Sequence, residues 1–273
     1  MSISKGYTEA VKTAVTMGAN TFQYFSRNPR GGKAKALDKN DIAESKRLIK
    51  EHGFFPPVAH APYTINLAAA DEKVWDFAVR TMQEDLMRVE EVGSLFLVVH
   101  PGSHVGQGLE TGIRRIIAAL DQILSGEGNV MLLLEGMAGA GSEIGSSFEE
   151  LKILREFTRK PERVGFALDT CHLYGAGYDI ARDLESVLAE FDRIIGLEHL
   201  KVLHVNDSKQ PLGSRRDRHA DLGTGWLGEK FFARLVNHPV FENIPLILET
   251  PGDALGYAKE IAWLKALKQE EKQ

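Results

Sequence analysis

Short apolar runs alternate with longer amphipathic stretches along nearly the whole chain. Residues 7–19 place Ala10, Val11, Ala14 and Val15 at helical spacing, with Gly18 positioned to end the helix. Residues 20–26 (NTFQYFS) read as a strand and 27–33 as the loop after it. A helix over about 39–52, stopped by Gly53, leads into the strand PPVAH, which ends on His60. The longest amphipathic stretch, about 71–92, puts Val74, Phe77, Ala78, Leu86 and Val89 on one predicted face and closes at Gly93. Strands at about 95–99, 130–134, 164–168, 202–205 and 244–248 follow. Helices around 113–124, 147–159, 182–195, 231–236 and 258–267 lie between and after them.

A strict alternation of strand and helix predicts a parallel sheet with helices outside it. Seven strands in that rhythm favour a (β/α)8 barrel over a doubly wound open sheet. No linker, repeat or low-complexity block interrupts the pattern, so residues 1–273 read as one domain. A closed barrel also needs a strand before its first helix, and residues 1–6 are too short and polar to supply one. The expectation is a barrel lacking its first strand, with a native start several residues upstream.

Six successive strands carry a metal-ligand type of residue at or just past their C-terminal end: His60, His100, Glu135, Asp169, His204 and Glu249. In such barrels the active site is built at that face. The stretch 202–228 adds more: after its apolar run it holds Asp207, Asp217 and His219 among Arg215, Arg216 and Arg218. Asp217 and His219 are two apart, so an extended segment aims both the same way. With His172, the candidate ligands number nine, five of them histidines. A catalytic zinc takes about three protein ligands, so nine suit two or three ions. His52 and His238 fall near helix ends, and His104, four residues past His100, suits a part in supporting the ligands or contacting a phosphate more than a ligand role. Clustered metals with shared carboxylates suit phosphodiester hydrolysis, which needs an activated water and a stabilised leaving oxyanion. Glu135, midway among the ligands, is the natural bridging residue. Cys171 has odd spacing from Asp169 and reads as packed away.

Composition changes this picture little. Of the 273 residues 43% are hydrophobic and 26% charged, as in an ordinary globular protein. No run approaches a membrane span, and the opening MSISKGYTEA lacks the apolar core of a signal peptide. One cysteine excludes a disulfide framework and suits the cytoplasm. The net charge of −5 gives no hint of nucleic-acid binding, although bound divalent ions and a basic rim can create a local positive site.

The motifs HAPYTINL (60–67), HPGSH (100–104), LDTCHLYGAGYD (168–179), LHVNDSK (203–209), GSRRDRHADLGTG (213–225) and LILETPG (246–252) resemble the endonuclease IV family of apurinic/apyrimidinic endonucleases. They occur in family order over nearly the whole chain, which enters the family's N-terminal HVS-x-x-G-G motif only at its serine, as SISKG. The resemblance implies the barrel fold and a DNA-repair activity: cleavage of double-stranded DNA 5′ to an abasic site, leaving a 3′-hydroxyl and a 5′-deoxyribose phosphate. It further implies three zinc ions. His60 and His100 would hold one with Glu135, which bridges to a second held by Asp169, His204 and Glu249; His172, Asp217 and His219 would hold the third. Arg30 and Tyr63 match the family's DNA-facing loops, whose wedges offset the unstacking of a flipped-out nucleotide. A monomer without a protein partner is expected. Three positions depart from the family: GMAGAG after Glu135 where NTAGQG is frequent, Thr224 where an acidic residue is frequent, and Gly31 and Gly32 beside Arg30.

Two rivals stand beside this reading. A sugar isomerase or epimerase of the xylose-isomerase-like barrels also places His, Glu and Asp at strand ends, around one or two divalent ions. It lacks the third ligand set. A non-catalytic DNA-binding protein would need a basic surface rather than nine ligands.

Overall fold

The computed structural model describes residues 1–29 and 34–270. Its elements are α1 (Tyr7–Thr16), β1 (Gln23–Phe25), α2 (Lys39–Glu51), β2 (Val58–His60), α3 (Glu72–Val92), β3 (Phe96–Val99), α4 (Leu109–Ile123), β4 (Met131–Glu135), α5 (Phe148–Glu156), β5 (Val164–Asp169), α6 (Thr170–Ala176), α7 (Leu184–Ile194), β6 (Leu200–His204), β7 (Asp207–Ser208), β8 (His219–Ala220), α8 (Glu229–Asn237), β9 (Leu246–Ile247) and α9 (Ala254–Glu270). They gather into two compact units. The first comprises Met1–Thr16, Asn20–Glu135 and Ile153–Gly165; the second comprises Met17–Ala19, Gly136–Lys152 and Phe166–Gln273.

In the first unit β1, β2, β3 and β4 lie side by side and parallel, with Phe25 opposite His60 and Val99 opposite Leu134. Buried parallel strands read as continuous apolar runs, and Leu97, Val98 and Val99 are accordingly sealed from solvent. Residues 1–6 form no strand, as their polarity predicts; the amino group of Met1 donates to the Gln23 carbonyl at the edge of β1.

Helix α3 is capped by the Asp71 carboxylate at its start and by left-handed Gly93 at its end. Its buried stripe departs from the predicted face. Trp75, Ala78, Val79, Met82, Asp85, Leu86 and Val89 point inward, whereas Val74 and Phe77 are exposed. Asp85 is the charged exception inside this stripe. Its carboxylate receives Arg27 from two nitrogens, Nε at 3.0 Å and Nη2 at 2.7 Å, and Ser26 Oγ at 2.7 Å. Removing one partner of such a buried pair costs about 3–5 kcal/mol. Here the pair ties the start of the β1 loop to α3, while the Ser26 N–H donates to the carbonyl of His60.

In the second unit β5, β6 and β9 are parallel in that order, and β7 and β8 form a short antiparallel pair. Phe148, Phe166 and Phe191 form an aromatic centre, the rings of Phe148 and Phe191 meeting edge to face at 5.2 Å. Helix α6 was not predicted, because Thr170–Ala176 is too short for a periodic signal. It starts because the Asp169 carboxylate accepts from the N–H groups of Cys171 and His172. Strand β9 is shorter than expected, so Glu249 lies two residues past its end.

Candidate metal centre

In the first unit β2 delivers His60, the residue after β3 is His100, and β4 ends on Glu135. The Nε2 atoms of His60 and His100 lie 3.1 and 3.3 Å from the same oxygen, Glu135 Oε2. The two rings stand nearly perpendicular with centroids 5.3 Å apart. His60 Nδ1 is 2.6 Å from the Ala61 carbonyl, an acceptor, so Nδ1 carries the proton and donates. Nε2, on the other side of the ring, then faces a carboxylate oxygen. Two acceptors at that distance need a proton or a cation between them, and metal-ligating histidines are oriented in this way by the hydrogen bond of their other nitrogen.

The second unit repeats the device. His172 Nδ1 donates to the Gly136 carbonyl at 3.0 Å and turns Nε2 toward Asp217 Oδ2 at 3.4 Å. His219, on β8, donates from Nδ1 to the Glu249 carbonyl at 2.9 Å. Its Nε2 lies 3.0 Å from Asp217 Oδ1 and 3.5 Å from Asp169 Oδ2, yet is buried and makes a geometrically sound hydrogen bond to neither. The extended segment predicted from the two-residue spacing therefore aims Asp217 and His219 together. His204 Nδ1 lies 3.3 Å from Glu249 Oε2 and 4.0 Å from Asp169 Oδ2. Within each unit these sets have ligand atoms close enough for one ion: His60, His100 and Glu135; Asp169, His172 and His219; and Asp169, His204 and Glu249.

Their electrostatics follow from burial and charge. Burial disfavours the charged form of His219, but the Asp169 carboxylate, then Asp217, outweigh it and push the imidazole up to about 10. Burial likewise opposes ionisation of Asp217, and the adjacent His172 and His219 imidazoles overcome it, holding the carboxyl well below the usual range. In the metal-free chain a proton thus balances a charge that a divalent cation would balance instead. The donor set, imidazole and carboxylate with one nearby thiol, suits zinc or another first-row ion. Cys171 Sγ comes within ligand distance of Asp217 and His219, but burial, followed by the Asp169 charge, raises the thiol to about 11. It stays protonated, as packing predicts.

Sequence reasoning missed the residues that orient these ligands. Asn206 is fully buried; its Nδ2 donates to Asp169 Oδ2 at 2.7 Å and its Oδ1 accepts from the N–H of Glu249 at 2.9 Å. Its signal was a polar residue two past His204, immediately after a buried strand. Asp207, which stood among the metal-type residues in the sequence, accepts instead from the N–H groups of Ser208, Gly225 and Leu227 and shapes the GTG turn. Asn66 plays a matching part in the first unit, bonding Ser103 through both amide atoms and so fixing the loop after His100. Gly102 allows that approach, since a Cβ there would sit 2.2 Å from Asn66 Oδ1. His104 joins no ligand group among the described residues.

Tyr63 stands beside the first set. Its ring meets Phe25 at 4.9 Å and His100 at 5.7 Å while remaining 57% exposed, so one edge is anchored and the rest is available. Its N–H donates to the Pro29 carbonyl, joining the β1 and β2 loops. Arg30 lies outside the described residues.

Residues 11–267 match the model of the xylose isomerase-like TIM barrel family. A probable endonuclease 4 from Heliobacterium modesticaldum is 57% identical over 270 residues, covering 98% of both chains. The chain belongs to the endonuclease IV family. Another probable endonuclease 4, from Alkaliphilus oremlandii, is 47% identical over 97% of this chain and 94% of its own. The crystal structure of endonuclease IV from Thermus thermophilus matches with a TM-score of 0.87 at 36% identity, covering 98% of this chain and 96% of that one. The fold of this endonuclease IV homologue is therefore the TIM barrel that the strand–helix alternation predicts. A D-tagatose 3-epimerase-like protein matches with a TM-score of 0.71 at 17% identity, over 93% and 91% of the two chains, a likeness of fold alone.

Proposed function

We propose that this family member is a zinc-dependent DNA-repair endonuclease acting as one catalytic domain over residues 1–273. It hydrolyses the phosphodiester 5′ to abasic sites in double-stranded DNA, leaving a 3′-hydroxyl and a 5′-deoxyribose phosphate. The observation that carries the reading is the set of imidazole nitrogens aimed at carboxylate oxygens in both units. His60, His100 and Glu135 would hold one ion; Asp169, His204 and Glu249 a second; His172, Asp217 and His219 a third. Glu135 as a bridge to the second ion rests on the family pattern. Bound divalent ions supply Lewis-acid charge to the phosphoryl and leaving oxygens and favour deprotonation of water. The protein's own part is positional: Ala61, Gly136 and Glu249 carbonyls hold the imidazole tautomers. Asn206 holds two carboxylate-bearing strand ends in place. Tyr63 and Arg30 act as wedges for the distorted duplex. No helix among the described residues is long and apolar enough to cross a membrane, and a cytoplasmic monomer fits this reading.

The epimerase alternative shares the fold but does not call for the set around Asp217. Elemental analysis by mass spectrometry, on protein purified without added metal, separates the two. About three zinc per chain is the expected result. A single manganese or magnesium would contradict it.

A further inference from the structure

The buried ion pair between Arg27 and Asp85 lies outside every ligand set, and the proposed chemistry gives it no part. Asp85 is sealed from solvent and Arg27 is nearly so. Arg27 Nε reaches both carboxylate oxygens, at 3.0 and 3.1 Å, and Nη2 reaches Oδ1 at 2.7 Å. Nη2 also donates to Glu84 Oε2 at 3.1 Å. One turn further along the same face of α3, Arg88 Nη2 donates to the Lys35 carbonyl at 2.7 Å. Helix α3 thus grips the segment after β1 at Arg27 and again at Lys35. Stability alone does not call for such a pair, since apolar residues of equal volume commonly hold a fold as well. What the fork adds is direction. Paired donors fix the guanidinium, and the backbone behind it, against the carboxylate.

That backbone carries the setting of Tyr63. Phe25, two residues before Arg27, meets the Tyr63 ring edge-on at 4.9 Å and lies 5.4 Å from the ring of His60. Pro29, two residues after Arg27, accepts from the Tyr63 N–H at 3.2 Å. Between them, the Ser26 N–H donates to the His60 carbonyl at 3.0 Å and its Oγ to Asp85 Oδ2 at 2.7 Å. The contacts that seat Tyr63 from the β1 side therefore flank the residue that Asp85 holds. Tyr63 itself is mostly exposed, so the placement of its free edge depends on the contacts at its base.

We infer that Arg27 and Asp85 are positioning residues for abasic-site recognition, which touch neither metal nor DNA and act by seating Tyr63 through Phe25 and Pro29. The inference rests on the proposed nuclease function, in which Tyr63 is a wedge, and adds the device that sets the wedge. A misplacement of about 1 Å, caused by a residue far from the chemistry, is enough to cost a large factor in rate. A pair buried behind the site can therefore govern what the site recognises.

The test uses the zinc-loaded full chain, a duplex with one tetrahydrofuran abasic analogue, and the same duplex intact. Arg27→Ala would leave Asp85 buried without its cation, so the variant is Arg27→Lys, which keeps the charge and loses the fork. It should raise KM for the abasic duplex about fivefold, a fraction of a full stacking loss, with kcat and zinc content little changed. Affinity for the intact duplex should not move. The deciding measurement is a double-mutant cycle. In a Tyr63→Ala background Arg27→Lys should add almost nothing, because the ring it acts through is already gone. If Arg27→Lys melts below the assay temperature, Ser26→Ala, which leaves the ion pair intact, takes its place in the same cycle. If wild type cuts while the variant keeps its KM, loses equally on intact duplex, or adds its loss in full to that of Tyr63→Ala, the positioning role is refuted and the nuclease reading stands. If wild type does not cut the abasic duplex, the nuclease reading falls and takes the inference with it.

Discussion

Asn206→Ala removes a side chain that bonds the Asp169 carboxylate and the backbone N–H of Glu249 at once. Two losses can be counted. Asp169, fully buried, gives up a donor at 2.7 Å, and the N–H of Glu249 gives up its acceptor at 2.9 Å. A hydrogen bond to a charged group contributes about 1.5–3 kcal/mol, and a buried N–H left unsatisfied costs about 1–3 kcal/mol. The sum is about 2.5–6 kcal/mol before relaxation or entry of water, much of it shared between folding and metal binding. Residues that orient metal ligands typically change affinity 10–100-fold when removed. The expected outcome is weaker retention of zinc in competition with a chromogenic chelator, by about that factor. Asn206→Asp provides the contrast: it keeps the acceptor for Glu249 but sets a second carboxylate against Asp169, so it should retain the backbone contact and still bind metal abnormally. If Asn206→Ala competes for zinc as wild type does, the orienting role is wrong.

Other outcomes follow from the same geometry. Glu135→Gln takes a charge from the oxygen that His60 and His100 share, and should cut abasic-site cleavage by well over tenfold while duplex binding largely persists; near-normal turnover would remove the bridging role. Tyr63→Ala and Arg30→Ala should each cost about 1–3 kcal/mol of abasic-site affinity with zinc content unchanged. Equal losses on intact duplex would make them plain backbone contacts. For pH, the imidazole of His219 in the metal-free chain is raised to about 10 from 6.5, so its contribution to stability is complete below about 6.5 and fades as pH rises through about 10. Chelator-stripped protein should therefore lose melting temperature over that interval. Zinc-loaded protein, with that nitrogen occupied, should not, and parallel curves for the two forms would count against His219 as a ligand.

The ligands were legible in the sequence because strand ends are. A buried parallel strand is a continuous apolar run, so the first His, Glu or Asp at its C-terminal end stands out, and a barrel fold says where such ends gather. His60, His100, Glu135, Asp169 and His204 all lie at or next to a strand end. Asp217 and His219 were legible for a different reason, their two-residue spacing. The orienting residues were hidden because an asparagine in a loop looks alike whether it faces water or clamps two carboxylates. The burial of Asp85 in α3 was hidden for the same reason, since its partner Arg27 is 58 positions away in sequence. Such partners are a property of the folded chain, and no local pattern announces them.

Whether this chain is an abasic-site endonuclease is decided by incubating the zinc-loaded protein with a duplex that is end-labelled 5′ of a single abasic site and identifying the ends produced. One incision is expected, immediately 5′ to the site, with a labelled fragment that a DNA polymerase extends without further treatment because it ends in a 3′-hydroxyl. An uncut duplex, or a fragment that requires 3′ processing before extension, would contradict the proposed activity.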